Sequence, residues 1–169
     1  DILLHNCIDD NLKYIKENNK ANIIFSQVKA YRNNFMSENF LKNIPNEYPN
    51  NLMHPEFKAD DQFKLLILSD RITYTPSYFF KKQAILDVGG YDESDRLVED
   101  YPMWLKLTQS GEKLHYFHKP TVGYRVHSGA INNVGDQVLF KPSKINSFGI
   151  RKKYAHPYLP WTIVAKETW

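Results

Sequence analysis

Near the start of the chain, apolar residues recur at Leu4, Ile8, Leu12 and Ile15, which places them on one face of a helix that ends in the polar run KENNK. The next run, NIIFSQVKAY over 22–31, is rich in β-branched and aromatic residues and predicts a strand. Residues 32–58 hold three prolines and many asparagines without a sustained period, and so predict a long loop or short helical turns. Behind an acidic start, Phe63, Leu66 and Ile67 stand at helical spacing and predict a second helix over about 60–69.

Further on, TPSYFF reads as extended, and the run after it as a short helix closed by Gly89-Gly90. Gly89 takes the position just past a helix end, where the backbone needs a positive φ. VEDYPMWLKLTQSG predicts the next helix, with Glu99 and Asp100 at its positive dipole end, Pro102 in its first turn and Gly111 ending it. KLHYFHK and TVGYRVH predict two short strands separated by Lys119-Pro120. Beyond Asn133 the chain turns basic and irregular, and SKINSFGIRKKYAHPYLPW predicts a short helix and an aromatic tail that needs a surface to cover.

Composition narrows the function classes. A chain of 169 residues with 42% hydrophobic content suits one domain with a sizeable core. The net charge is +3, from 22 basic and 19 acidic residues, which gives no strong field toward nucleic acid. No run approaches the roughly 18 apolar residues of a membrane span, and the opening DILLHNCIDDN lacks the basic-then-apolar order of a signal peptide, so a soluble protein is expected. Cys7 is the single cysteine and is expected to be a small buried residue rather than a nucleophile or metal ligand.

The candidate chemistry lies in two clusters. Glu99 and Asp100 admit two readings: caps of a helix N-terminus, or a cleft in which Asp100 removes a proton from a hydroxyl. Tyr101 and Trp104 on the same helix are either core residues or a plane for a sugar ring. Read alone, His127 is a surface or hydrogen-bonded core residue and Arg125 a plain salt-bridge partner.

In order, YFFKKQAILDVGGYDE, VEDYPMWLKL, SGEKLHYFHKPTVGYRVH and the closing Tyr-Arg-x-His resemble the second half of a family 2 glycosyltransferase domain. The resemblance implies an α/β, Rossmann-like GT-A fold (nucleotide-diphospho-sugar transferase), here mainly the acceptor-side C-terminal half without the N-terminal nucleotide-binding half. Residues 1–133 would form that part of the domain, and 134–169 a basic, aromatic extension packed on it. The implied activity is inverting transfer of a hexosyl or N-acetylhexosaminyl group from a UDP- or GDP-sugar to a glycan or lipid-linked acceptor, in bacterial polysaccharide or glycolipid synthesis.

Under that resemblance Asp100 is the base and Glu99 its neighbour. Arg125, His127, Gly89 and Gly90 face the donor diphosphate and sugar, and Tyr101 and Trp104 face the acceptor. His127 and Asp1 are the candidate ligands of a Mn²⁺ or Mg²⁺ ion, an imidazole favouring manganese. A cytoplasmic location is implied, with peripheral contact at the inner face of the membrane, and a homodimer is a further expectation. The alternative is a sugar-binding or interaction module, derived from such a transferase, that lacks turnover.

Overall fold

The computed structural model describes residues 1–44, 51–72, 74–93, 99–129 and 148–168. The boundary expected at residue 133 and the run SKIN lie outside them. The chain forms a mixed α/β structure around a five-stranded sheet. Its strands are β1 (Ile2–Leu3), β2 (Ile23–Arg32), β3 (Phe40–Ile44), β4 (Tyr78–Phe80) and β5 (Leu114–Val126). Four helices are central to the argument: α1 (Cys7–Glu17), α2 (Ala59–Leu66), α3 (Lys82–Asp87) and α4 (Asp100–Gln109).

β2 is the spine of the sheet. It runs parallel to β5 from Ile23↔Leu114 to Arg32↔Val126. Its other edge is shared end to end by two antiparallel strands, β4 against Ile23–Phe25 and β3 against Val28–Tyr31. β1 pairs with the far side of β5, at Ile2↔Gly123 and Leu3↔Val122. Asn33, at φ 62°, turns the chain out of β2; asparagine tolerates this left-handed conformation better than most residues.

Three expectations are corrected here. The predicted strands KLHYFHK and TVGYRVH are one strand. Pro120 has no N–H for the ladder, yet it lies opposite Gln27, where the β2–β5 register shifts, and the bulge absorbs the missing donor. The loop expected over 32–58 contains the edge strand β3, which four lateral pairs to β2 hold in place.

The stripe expected on the first helix is also rotated. Ile8 is 51% and Leu12 44% exposed, while Cys7 and Asn11 are buried. The buried side is set by a contact outside the helix: the Tyr14 ring lies 5.0 Å from that of Phe117 on β5, while within the helix Asn11 Nδ2 donates to the Cys7 carbonyl at 2.8 Å.

The main core lies over the Ile23–Phe25 end of the sheet, where α2 and α4 bring Phe63, Leu66, Trp104, Leu105 and Leu107 onto Ile23, Phe25 and Leu114. Ile150 and Ala155 from the C-terminal region join this cluster. Gln62 is fully buried and satisfied like a strand residue. Its Nε2 donates to the Leu114 carbonyl, and its Oε1 accepts the Leu114 N–H, both at 2.8 Å. A second, smaller cluster, Val28, Ala30, Ile44 and Val122 with Tyr74 and Tyr124 against it, covers one face of the other end of the sheet.

Candidate functional site

The acidic pair stands at the start of α4, as the dipole argument requires. Asp100 is half-buried, and both of its oxygens are engaged: Oδ1 accepts the Tyr101 N–H at 2.8 Å, and Oδ2 accepts the Thr75 hydroxyl. Thr75 begins a short 3₁₀ turn, Thr75–Ser77, that leads into β4. Asp100 thereby clamps that turn to the end of α4, which is the capping reading extended to a tertiary contact. Glu99 is exposed.

Charge gathers around this clamp. Asp70 precedes it in the chain, with its Oδ1 accepting the Ile72 N–H at 3.1 Å. Its carboxyl is pushed up to about 6, chiefly by crowding of protein atoms and further by the nearby Asp100. The residue as a whole is exposed, so water screens the energy of this shift. The Tyr91 phenol is pushed far above its usual range by burial, by its 2.9 Å hydrogen bond with the Tyr78 hydroxyl, and by Asp100 and Glu99. Next to Thr75, the Tyr74 ring meets Tyr124 of β5 edge-on at 5.3 Å. The 3₁₀ turn therefore touches both the acidic pair and the Tyr-Arg-x-His strand.

Tyr101 and Trp104, expected to face an acceptor or to pack in the core, are both buried, at 2% and 0% exposure. Trp104 packs edge-on against Phe25 at 5.0 Å and Tyr78 at 5.3 Å. The Tyr101 hydroxyl donates to the Leu66 carbonyl at 2.7 Å and accepts from Arg151 Nη1 at 3.2 Å. No ring face of either is left for a sugar, since the pair spends its surface on the core.

Gly89 and Gly90 have φ of 81° and 71°, and nothing lies within 4 Å of where a Cβ would stand. Their role is to close α3: the Gly89 N–H donates to the Leu86 carbonyl and the Gly90 N–H to the Ile85 carbonyl, each at 3.0 Å, while Lys106 Nζ caps the Gly90 carbonyl. At the far end of β5, the Arg125 N–H donates to Asp1 Oδ1 at 2.9 Å, so the structure brings these two residues together. His127 follows, half-buried, just past the end of β5. Among the described residues, no group of three or more His, Cys, Asp and Glu side chains is placed to hold a metal ion.

Sequence reading missed Gln62, whose amide ties α2 to β5, and Thr75, whose hydroxyl meets Asp100. An isolated glutamine in an otherwise apolar helix stripe was the signal for the first. Nothing local marks the second. The "RKK" run is also largely occupied within the protein. Arg151 Nη1 donates to the Ile67 carbonyl at 3.0 Å, and Lys153 pairs with Asp92 at 2.8 Å. Among the described residues no helix is long and apolar enough to cross a membrane.

These features define an α/β sheet protein whose acidic pair acts as an internal clamp and whose opposite sheet end carries exposed apolar side chains. No family model matches the chain. Over 109 residues it is 31% identical to the multifunctional methyltransferase subunit TRM112-like protein of Caenorhabditis elegans, an alignment that takes in 62% of this chain and 80% of that protein. At that identity and coverage, the chain belongs to the TRM112-like family of methyltransferase subunits.

This finding overturns the glycosyltransferase resemblance, and with it the expected transferase activity, the UDP- or GDP-sugar donor, the glycan or lipid-linked acceptor and the bacterial polysaccharide setting. The sugar-binding or interaction module derived from a transferase is set aside on the same ground. The motifs that carried the resemblance fall where the sheet and helix ends need them, as caps, core residues and turns.

Proposed function

We propose that this chain acts as a subunit of a methyltransferase and assembles with a catalytic partner. The observation that carries the reading is the 31% identity spanning 80% of the curated methyltransferase subunit. Two features of the molecule support it. Ile2, Leu3, Ile8, Leu12, Met36, Phe40 and Leu41 are exposed by 41% to 65% of their surface, apolar area that a partner protein could cover. Asp100 has both oxygens engaged by its own domain, which fits a structural clamp.

The test is co-expression of the full chain with the catalytic subunit of the C. elegans methyltransferase to which the relative belongs, followed by size-exclusion chromatography. Co-elution as one species is expected. Separate elution at tens of micromolar, with both proteins folded, overturns the reading.

A further inference from the structure

The second cluster of the core is covered in part by two tyrosines. Val28, Ala30, Ile44 and Val122 are buried there, and the rings packed on them are Tyr74 and Tyr124. Tyr124 pairs with Ala30 within the β2–β5 ladder, so the sheet fixes its place. Tyr74 lies outside the strands. It stands one residue ahead of the Thr75–Ser77 turn and meets Tyr124 edge-on at 5.3 Å. The turn behind it is therefore what places this ring.

The two ends of that turn are held differently. The Ser77 N–H and hydroxyl both donate to the Tyr74 carbonyl, at 3.0 and 2.7 Å, and close the turn on itself. At the far end the buried Ser26 hydroxyl of β2 donates to the Ser77 carbonyl at 3.2 Å and pairs with the Thr121 hydroxyl of β5 at 2.6 Å, which ties Ser77 to the sheet. At the near end, beside Tyr74, the Thr75 hydroxyl donates to Asp100.

Charge loads the near end. The field of Asp100 reaches Asp70, and with that of Glu99 it reaches the Tyr91 phenol, which bonds Tyr78 of β4. Cations of the surrounding elements are turned to carbonyls: Arg71 Nε to Leu65, Arg151 Nη1 to Ile67 and Lys106 Nζ to Gly90. Among the described residues, none of the three carboxylates has an ion pair. Asp70 belongs to the same short run, between α2 and β4, that carries Tyr74 and Thr75. Repulsion between Asp70 and Asp100 thus pulls on the segment that the Thr75 hydroxyl holds.

We propose that Tyr74 is an aromatic lid on the second core cluster, latched by the Thr75–Asp100 hydrogen bond and sprung by the carboxylates of Asp70 and Glu99 around that latch. With the latch made, Tyr74 packs on Tyr124 and the cluster is covered. With it broken, Ser77 keeps its tie to Ser26 while Tyr74 swings off, and Val28, Ala30 and Val122 lose that cover. Screening the carboxylates with salt favours the latched state.

The experiment is amide exchange, with NMR of the Tyr74 and Tyr124 rings, on the full chain and its Thr75→Val, Thr75→Ser and Asp70→Asn variants at low and high salt. Thermal melts show whether each variant is folded. Thr75→Val should exchange the Ser77 N–H about tenfold faster or more and shift the Tyr124 ring signals, while Thr75→Ser keeps wild-type behaviour. In Asp70→Asn the Ser77 N–H should exchange more slowly than in wild type at low salt and respond little to salt. Wild-type exchange and ring signals in a folded Thr75→Val overturn the latch. An Asp70→Asn variant that matches wild type at both salt concentrations overturns the spring. Exchange in the wild-type chain that is indifferent to salt overturns it without any variant.

Discussion

The two ends of β2 are one continuous strand with different surroundings. At Ile23–Phe25 every side chain is fully buried, because α2 and α4 cover the sheet and β4 and β5 flank the strand. At Lys29–Tyr31 the strand has a pair on both edges as well, yet only Ala30 is buried, and Lys29 and Tyr31 are part-exposed. Backbone pairing is equal at the two ends, so the difference is one of cover. The first end supplies stability, and the second leaves apolar side chains such as Ile2 and Phe40 part-exposed.

Substitutions at the two ends should separate accordingly. Trp104→Ala, which empties the space between Phe25 and Tyr78, should cost about 3–5 kcal/mol and bring the chain close to unfolding, read as the midpoint of a urea melt. Gln62→Leu keeps the volume but orphans the N–H and C=O of Leu114, at about 1–3 kcal/mol for each buried group. A midpoint unchanged from wild type would show that the glutamine is not what ties α2 to the sheet.

At the open end, Gly123→Ala forces a methyl into Ile2 and Phe35. It should cost about 1–3 kcal/mol if they stay in place, and less if the exposed Ile2 swings outward. A small stability change with a large shift in Phe35 resonances would mark this end as yielding, in contrast with the Trp104 region.

The smallest effect concerns pH. Asp70 has a folded-state value raised to about 6 from 3.8, so the proton is held more tightly in the folded protein. Its contribution is fully present below about pH 4 and is lost as pH rises through about 6, and stability from this group therefore falls over that window. Because the residue is exposed, the effect is expected to stay below about 1 kcal/mol. Asp70→Asn should be flatter than wild type between pH 4 and 7 in Tm. An identical slope in both would remove Asp70 as the source.

The helices α2, α3 and α4 were legible because their boundaries are local chemistry. Asp61 accepts the Lys58 N–H at 2.9 Å to start α2, Asp100 accepts the Tyr101 N–H to start α4, and Gly89 and Gly111 take positive φ where α3 and α4 end. The strand 22–31 was legible from its β-branched run. The face of α1, the strand hidden in 32–58 and the unity of β5 were not, since each depends on a neighbour distant in sequence: Phe117 for Tyr14, β2 for β3, and Gln27 for Pro120. The candidate site fared similarly. The residues around Asp100 were found, but the partner that engages it, Thr75, is 25 positions away.

By itself the sequence determined where α2, α3 and α4 start and stop and that 22–31 is extended, because propensity, caps and glycine conformation act within a turn of the chain. Tertiary structure decided which apolar residues became core and which were left outside. Trp104 and Tyr101, readable as a ligand surface, are covered by α2 and by the strands beneath, whereas Ile2 and Phe35 meet over a bare glycine and Ile2 stays 43% exposed. Burial is a property of what packs against a residue, and that is set by pairings across scores of residues that no local pattern encodes.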